Sequence, residues 1–541
     1  MNHGPDGAQA LLERVEGATV ASALTARATS DPARPYLRTD EMVVRYGEVE
    51  SQAEALAAAL SGLGVRAGDR VALVLPACPE FAVSMYAVAK LGGIVVPLNP
   101  HLAPLELQYM LRHSEAVCCV TIEQDRDVDF LQLFEEIMPQ LPELRHLVTV
   151  GEEDLWYDDR IFQFEDLVSA GSGRDFAGGA ADPGDCFALL YTSGTSGKPK
   201  GVELSHRNLL SVAAGTAGAI GLNEDDIGVG ISALFHVYGL GPGLLGTLTA
   251  GASLVLVEHG DAAAMLDAAE RHAATVYYGI PTLFVGAVAQ MNARARNVSS
   301  VRLAVVAGAP IDDQLMSSVT EAFDATVVSG YSVTETASTV STTGPRDGAD
   351  KRRFTVGRPL PGTSVRIVEE TAAGDVELPE ESVGEIRVKG PGVMLGYYRQ
   401  PKETADSFDA DGFFRTGDLG IIDEDGFLHL VGRNRDVIIR SGFNVYPREV
   451  ESRIEAHPAV REAAAIGVAD PLLGEAICAC VVPVEGAIVT GHEIVDWCRD
   501  TLADEKVPDS VRFVDELPRT DTGQVRRVEL SRMLMSEGQS A

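Results

Sequence analysis

Short apolar runs alternate with stretches of helical spacing along most of the chain. The run Val71 to Leu75 predicts a buried strand, Pro79 to Leu91 a helix with proline in its first turn, and Ile94 to Pro97 a second strand. Further predicted strands are Ala116–Thr121, Ala250–Glu258, Thr275–Tyr278 and Leu303–Ala307. This alternation predicts an α/β fold, with parallel-rich sheets flanked by helices.

The pattern changes after about Arg433. A strand over Asp436–Ile439, a turn at Ser441 to Phe443 and a helix over Pro447–Ala456 begin a compact α+β unit that ends near Met533. A unit of about a hundred residues suits a small domain. We therefore expect a large domain over residues 1–432 and a small one over residues 433–541.

Composition narrows the class of protein. The chain has 541 residues and a net charge of −35, which repels nucleic acid and anionic lipid. The polar start, Met1 to Glu16, lacks the apolar core of an export signal, and no apolar run is long enough for stable membrane insertion. The seven cysteines form no CxxC pair, so we expect reduced thiols in a cytoplasmic protein.

The segment Tyr191 to Gly201 reads Tyr-Thr-Ser-Gly-Thr-Ser-Gly-Lys-Pro-Lys-Gly and is typical of a phosphate-binding loop. It follows the apolar run Cys186–Leu190 and precedes a predicted helix over Ser205–Ala214, a position that disfavours a flexible linker. Its glycines let backbone N–H groups turn towards phosphate oxygens, although the spacing is not that of a Walker A loop. Hydroxyl and ammonium donors would come from Thr192, Ser193, Thr195, Ser196, Lys198 and Lys200, with Gly194 and Gly197 between them.

This segment closely resembles the signature loop of the adenylate-forming superfamily of acyl-CoA synthetases, peptide-synthetase adenylation domains and luciferases. Further motifs follow in family order, and the resemblance extends from Arg45-Tyr-Gly-Glu48 to Arg527. It implies an ATP-dependent, AMP-forming ligase that uses Mg²⁺, with CoA as the expected co-substrate. It also implies that the small domain rotates between two half-reactions, about a hinge at Arg435, and that Ser441 to Phe443 then reach the pantetheine tunnel.

The resemblance assigns roles to several residues. In Gly330-Tyr-Ser-Val-Thr-Glu335, Tyr331 would stack on adenine beside Gly330 and Ser332, Thr334 would contact the α-phosphate, and Glu335 would hold Mg²⁺. The segment Gly308-Ala309-Pro310 would line the adenine and acyl sites. Asp418, in Thr416-Gly-Asp418, would accept hydrogen bonds from the ribose hydroxyls, supported by Arg433.

The motifs that would form the acid pocket are less specific than those of the nucleotide site. Leu234 to Gly239 resembles the family's pocket motif, which would place His236 near the activated group, and Tyr278 to Pro281 would form a wall. Members that activate amino acids usually carry Asp where His236 stands, so an α-amino acid is disfavoured. Aromatic and aliphatic acids both remain open, and the sequence does not set the oligomeric state.

Gln524 departs from the family. The segment Leu517 to Arg527 normally carries a Lys at this position, which bridges the carboxylate and the phosphate during adenylation, and losing such a donor costs about a hundred- to thousandfold in rate. Three interpretations are open: an introduced Lys→Gln substitution, another cation such as Lys198 or Arg526, or an unusual acid. Some relatives activate nitrite and transfer it to an aryl amine.

The predicted reaction is acid + ATP + CoA to acyl-CoA, AMP and pyrophosphate, with Lys200, His236, Thr334, Glu335 and Gln524 as the catalytic set. A carrier-protein thiol or an amine is the alternative acceptor, and an ATP-dependent diazotase acting on nitrite is one form of the latter. A non-catalytic nucleotide-binding member is the rival motivated by Gln524.

Overall fold

The computed structural model describes residues 5–126, 128–152, 158–176, 178–192, 199–258, 260–307, 311, 313–371, 374–433, 436–440, 443–470, 473–502, 506–520 and 523–537. The strands in chain order are β1 Pro35–Arg38, β2 Val43–Arg45, β3 Arg70–Val74, β4 Ile94–Pro97, β5 Cys118–Ile122, β6 Gln124–Asp125, β7 Val128–Asp129, β8 His146–Val150, β9 Ile161–Gln163, β10 Cys186–Thr192, β11 Lys200–Ser205, β12 Ile227–Val229, β13 Ser253–Val255, β14 Val276–Gly279, β15 Leu303–Val306, β16 Thr326–Val333, β17 Ser338–Thr342, β18 Arg358–Pro359, β19 Ser364–Thr371, β20 Gly374–Glu377, β21 Gly384–Lys389, β22 Gly396–Tyr397, β23 Phe414–Ile422, β24 Leu428–Arg433, β25 Ile438–Arg440, β26 Phe443–Val445, β27 Val460–Asp470, β28 Gly474–Pro483 and β29 Ser510–Phe513.

The α-helices are α1 Pro5–Val15, α2 Val20–Ser30, α3 Tyr46–Gly62, α4 Pro79–Leu91, α5 Pro104–Ser114, α6 Phe130–Ile137, α7 Phe164–Gly171, α8 His206–Ala219, α9 Gly246–Ala250, α10 Ala262–His272, α11 Pro281–Ala293, α12 Asp313–Phe323, α13 Ala349–Phe354, α14 Pro401–Asp406, α15 Pro447–Glu455, α16 Gly491–Arg499 and α17 Arg527–Glu537. A π-helical segment, Gly239–Leu245, leads into α9, and 3₁₀ turns lie at Met138–Gln140 and Thr334–Thr336.

Two large sheets form the frame of the protein. One has nine strands in the order β18-β17-β16-β15-β14-β12-β13-β1-β2, and the other has eight in the order β22-β11-β10-β4-β3-β5-β8-β9. Both are parallel at their centres; the nine-stranded sheet is antiparallel at both edges, and the eight-stranded sheet only at the edge formed by β10, β11 and β22. The largest buried cluster joins them through the apolar faces of α4 and α8. These findings confirm the predicted α/β class.

Two five-stranded sheets and the short hairpin β6-β7 complete the described part of the molecule. The antiparallel sheet β20-β19-β21-β23-β24 ends at Arg433, and the last sheet, β26-β25-β28-β27 with β29 beside β28, uses strands from Ile438 onwards. Its own apolar cluster is closed by α15 and α16. Among the described residues, no helix is both long and apolar enough to cross a membrane.

None of the seven cysteines, all of which the structure describes, forms a disulfide. Six of them are buried and Cys186 is half-buried, as expected for reduced residues of a protein core.

Candidate active site

The roots of the phosphate loop lie in a β-hairpin. Strands β10 and β11 pair in antiparallel register, with Thr192 opposite Lys200. Lys200 begins β11, a strand that the sequence did not predict, and α8 begins after Ser205, whose hydroxyl caps it, which confirms the predicted helix start. The candidate donors Ser193 to Lys198 lie outside the described residues.

Lys200 and Glu335 meet through a tyrosine that the sequence motifs did not single out. Tyr397 lies in β22, which pairs with β11 and so brings this side chain beside Lys200. The Tyr397 hydroxyl donates to Glu335 Oε1 at 2.8 Å, and Lys200 Nζ lies 4.7 Å from the centre of the Tyr397 ring, within cation–π range. The Gly-Tyr-Tyr run before Pro401 was the available signal for this residue.

Glu335 lies in an environment that disfavours its negative charge. It occupies the 3₁₀ turn Thr334–Thr336 at the end of β16, next to Thr334. Burial, the largest effect, raises the pKa of the Glu335 carboxyl, and the charge of Asp418 raises it further. The Tyr397 hydroxyl and Lys200 lower the pKa but only partly offset this rise. A cation bound at Glu335 would offset the cost of burying the carboxylate.

The adenine and ribose candidates are also in contact. The Tyr331 hydroxyl donates to Asp418 Oδ2 at 2.6 Å, and both residues are buried. Tyr331 lies in β16 between Gly330 and Ser332, while Asp418 lies in β23, opposite Arg433 of β24. Tyr331 therefore connects the large parallel sheet to the third sheet. The candidates Gly308, Ala309 and Pro310 lie outside the described residues.

His236 lies before the π-helical segment. Its Nδ1 accepts the backbone N–H of Tyr238 at 3.2 Å, so this nitrogen is unprotonated. Burial lowers the pKa of the His236 imidazole to about 4. The ring is therefore neutral at physiological pH, with its proton on Nε2.

Gly523, the residue before Gln524, lies near the segment that contains the predicted wall of the acid pocket. A Cβ placed on Gly523, whose φ of +82° favours glycine, would lie 3.6 Å from Ile280 Cδ1 and 3.7 Å from Thr282 Oγ1. The Gln524 carbonyl accepts the N–H of Thr520 at 2.8 Å, and its own N–H donates to Thr520 Oγ1 at 3.1 Å. The turn thus holds this position against the pocket wall.

The donor set fits one Mg²⁺ held mainly by phosphate. Among the described residues, no group of three or more His, Cys, Asp and Glu side chains could hold a metal. Mg²⁺ commonly binds one or two carboxylates together with substrate phosphates, and Glu335 supplies one partly enclosed carboxylate near Lys200. The residues therefore suit Mg²⁺ that arrives with ATP.

Two family models match the chain. The model of AMP-binding enzymes covers residues 24–398, and the model of the AMP-binding enzyme C-terminal domain covers residues 449–524. The two matches lie in the expected order and include the phosphate-loop, Glu335 and Gln524 positions.

Curated relatives match over nearly their whole length. A feruloyl-CoA synthase of an Amycolatopsis species is 34% identical over 94% of this chain and 97% of that enzyme. A long-chain-fatty-acid–CoA ligase of Bacillus subtilis (strain 168) is 31% identical over 95% and 94%, respectively.

Solved structures agree in fold. The anthranilate CoA ligase AuaEII in complex with anthranoyl-AMP has a TM-score of 0.87 at 28% identity, covering 97% of this chain and 98% of that one. ATP-bound MatB from Rhodopseudomonas palustris has a TM-score of 0.84 at 31% identity, covering 95% and 98%.

Proposed function

Because the chain belongs to the AMP-binding enzyme family and is an ATP-dependent, AMP-forming ligase, we propose that it joins an acid to CoA through an acyl-AMP intermediate. One acid oxygen attacks the α-phosphorus of ATP and the bond to pyrophosphate breaks. The CoA thiol then attacks the acyl carbon, and AMP leaves. Relatives named as CoA ligases for aryl and fatty acids support a CoA acceptor.

The observation that carries this proposal is a pair of linked groups: Tyr397 joins Lys200 to Glu335, and Tyr331 donates to Asp418, whose charge also raises the pKa of Glu335. These residues come from both large sheets and the third sheet, and they bring together the candidates for phosphate, metal, ribose and adenine. Unrelated core packing would not require two enclosed carboxylates, each accepting a hydrogen bond from a tyrosine, because each is costly to bury.

Each residue has a proposed part in the first half-reaction. Lys200 neutralises phosphate charge, together with the loop residues before it, and Thr334 donates to the α-phosphate. Asp418 and Arg433 hold the ribose, and Tyr331 holds the adenine. Mg²⁺, when bound at Glu335, would screen the charge of the phosphates. His236, which is neutral, lies beside the activated group and adds no charge that would compete with the acid.

The proposed boundary between the domains is Gly432, with a large domain over 1–432 and a small mobile domain over 433–541. The sheet memberships support it, since the third sheet ends at Arg433 and the last begins at Ile438. The hinge candidate Arg435 and the turn residues Ser441 and Gly442 lie outside the described residues. A Cβ added at Gly523 would lie 3.6 Å from Ile280 Cδ1, and this proximity is the arrangement that we propose for adenylation.

Gln524 favours a second candidate function. A carboxamide where relatives carry an ammonium suits an acid that needs less charge compensation, and nitrite transferred to an amine is such a case. The chain would then be an AMP-forming diazotase with the same nucleotide site.

Pyrophosphate release tests both functions. The protein is incubated with ATP, Mg²⁺ and aromatic or aliphatic acids, with and without CoA, and in parallel with nitrite and an aryl amine. We expect pyrophosphate release that depends on a carboxylic acid, and a CoA thioester as the product. Release that occurs with nitrite but with none of the carboxylic acids would support the diazotase instead. Lys200→Ala should reduce release, whereas Lys402→Ala, on the exposed face of α14, should not. ATP binding without release under any condition would indicate a non-catalytic member.

A further inference from the structure

The strand that carries Asp418 is interrupted by a bulge. Two pairs of opposite residues in β21 and β23 border it: Glu385 with Leu419, and Arg387 with Arg415. The register shifts between these pairs, so that Thr416 to Asp418 stand against the single residue Ile386 of β21. Bulges re-aim side chains and are over-represented beside active sites. The direction of the Asp418 side chain therefore depends on what holds this bulge.

Side chains of both strands hold the bulge. The Thr416 hydroxyl donates to the Ile386 carbonyl at 2.7 Å and accepts the Asp418 N–H at 3.1 Å. The Gly417 N–H donates to Glu385 Oε1 at 3.1 Å. Gly417 has a φ of +70°, a conformation that favours glycine. The backbone on either side of Gly417 is thus tied to β21.

Glu385 is itself held by a buried arginine. Arg387 is 0% exposed, and its Nε donates to Glu385 Oε2 at 2.8 Å, so that Oε1 of the same carboxylate bonds to Gly417. Arg387 Nη1 also donates to Asp375 Oδ2 at 2.7 Å and to Asp409 Oδ2 at 3.2 Å. A buried ion-pair network is costly to form and is weak evidence for stability. Its place beside the bulge instead favours a role in positioning Asp418.

We infer that Glu385 and Arg387 are positioning residues of the nucleotide site, which hold the bulge so that Asp418 is aimed at the ribose. This inference rests on the ribose role of Asp418 in the proposed function. The Tyr331 hydroxyl donates to Asp418 Oδ2 and fixes the carboxylate, while Glu385 fixes the backbone that carries it. A carboxylate held in this way loses little conformational freedom when it accepts a ribose hydroxyl.

The test compares the binding of ATP and 2′-deoxyATP, each with Mg²⁺, by isothermal titration calorimetry. The measured quantity is the ratio of the Kd for 2′-deoxyATP to the Kd for ATP. We expect a ratio of about ten or more for the parent protein, because a hydrogen bond to a charged acceptor is lost with the hydroxyl. Glu385→Met removes the acceptor at similar volume and should lower the ratio to about one.

Further variants separate positioning from packing. Glu385→Gln keeps an oxygen that can accept from Gly417, so it should retain part of the preference for ATP. Glu369→Ala removes an exposed carboxylate from β19 of the same sheet and should leave the ratio unchanged. Asp418→Ala should abolish the preference. Adding Glu385→Met to Asp418→Ala should then leave the Kd for ATP unchanged, because Glu385 acts through Asp418.

A second variant at the bulge keeps the test decisive if Glu385→Met fails to fold, as judged from its melting temperature. Thr416→Val removes the hydroxyl that links the bulge to Ile386 at similar volume, and it should also lower the ratio. A parental ratio in either folded variant would overturn the inference and leave the ligase function intact. A parent protein that binds both nucleotides equally would overturn it too. Binding of neither nucleotide would remove the proposed function itself.

Discussion

Tyr397 links the two charges of the phosphate site, and this makes it a sensitive position. Its hydroxyl donates to Glu335 Oε1, and Lys200 lies over its ring. Tyr397→Phe removes the donor and leaves the ring, so we expect the concentration of Mg²⁺ required for half-maximal adenylation to rise about tenfold, as for the loss of one hydrogen bond to a charged group. A Mg²⁺ titration of pyrophosphate release measures this effect.

The matched control is Tyr398→Phe. The Tyr398 hydroxyl points to Glu115 at 3.5 Å, away from Glu335, so its loss should leave the Mg²⁺ requirement unchanged. Equal shifts in the two variants would show that the Tyr397 hydroxyl has no specific part.

Gln524 allows a direct choice between interpretations. If the chain adenylates an ordinary carboxylic acid and lacks only the family ammonium, Gln524→Lys should raise adenylation about a hundredfold, because the charge would stabilise the transition state. The second half-reaction, started from preformed acyl-AMP, should barely change. If the site is built for a neutral donor, the added ammonium should help little. AMP formation by both proteins, with carboxylic acids and with nitrite, separates these cases.

The site residues could be predicted from sequence only where a motif carries them. Glu335, Asp418 and Lys200 lie in recognisable segments; the structure joins Lys200 and Glu335 through Tyr397, and Asp418 to Tyr331. Tyr397 could not be placed, because its role depends on the strand with which β22 pairs. A local pattern does not contain that information.

At the scale of elements, α5 supports the phosphate loop from outside the motif. His113 Nδ1 lies 2.8 Å from the Tyr191 hydroxyl, which in turn donates to the Met110 carbonyl. Because the Tyr191 hydroxyl proton is given to Met110, the hydroxyl must accept from His113. Nδ1 of His113 therefore carries a proton. Tyr109, on the same helix, donates to the Pro199 carbonyl at 3.5 Å. Both roots of the loop are thus tied to one helix.

Loosening this support should weaken the use of ATP. We expect His113→Ala to raise the KM for ATP several-fold with little change in kcat, because the loop loses an anchor but no catalytic group. Arg112→Ala, exposed on the same helix, is the control, and His113→Gln should restore part of the loss. Steady-state kinetics at saturating acid measure the effect; a fall in kcat alone would contradict a positioning role.

Element boundaries were predicted best where the termination signals are local. The helix Pro79–Leu91 and the strand Ile94–Pro97 are confirmed to the residue, since proline and Gly92 define their ends. The predicted strand Ala250–Glu258 is instead Ser253–Val255, because Gly251, with φ of +76°, ends a preceding helix. The strand β11 was missed, although it pairs locally with β10 across the phosphate loop as well as with the distant β22.

At the scale of the whole molecule, a buried histidine couples folding to pH. His206 is fully buried, stacks on Phe187 at 4.7 Å and accepts the N–H of Val20 on Nδ1. Burial lowers its pKa from 6.5 to about 4. The unfolded state therefore binds more protons between these values, and the free energy of unfolding should fall as pH drops from 6.5 towards 4.

Protonation of His206 alone should lower the free energy of unfolding by a value on the order of 3 kcal/mol between pH 6.5 and 4. Denaturant unfolding is measured at several pH values for the protein and its His206→Gln variant. The comparison separates the effect of His206 from that of carboxyl groups that titrate in the same pH range. The variant should show a flatter dependence on pH. Parallel curves for the two proteins would rule out His206 as the coupled group.

The last prediction concerns the movement of the small domain. In this structure the turn at Gly523 lies against Ile280 and Thr282, the arrangement proposed for adenylation, and thioester formation would need the small domain to turn about Arg435. Arg435→Pro fixes φ near −65° at that position. Because hinges work by changing φ and ψ at a few residues, one half-reaction should survive while the other is lost. Arg435→Ala, which keeps the backbone free, should retain both half-reactions.

The two half-reactions are measured separately for this variant. Exchange between ATP and pyrophosphate reports adenylation, and CoA-dependent release of AMP from preformed acyl-AMP reports transfer. If the fixed φ is compatible with the arrangement seen here, exchange should persist and transfer should fall. If it is compatible only with the rotated arrangement, transfer should persist and exchange should fall. An equal loss of both activities in a variant that melts like the parent protein would mean that Arg435 is not where the domains turn.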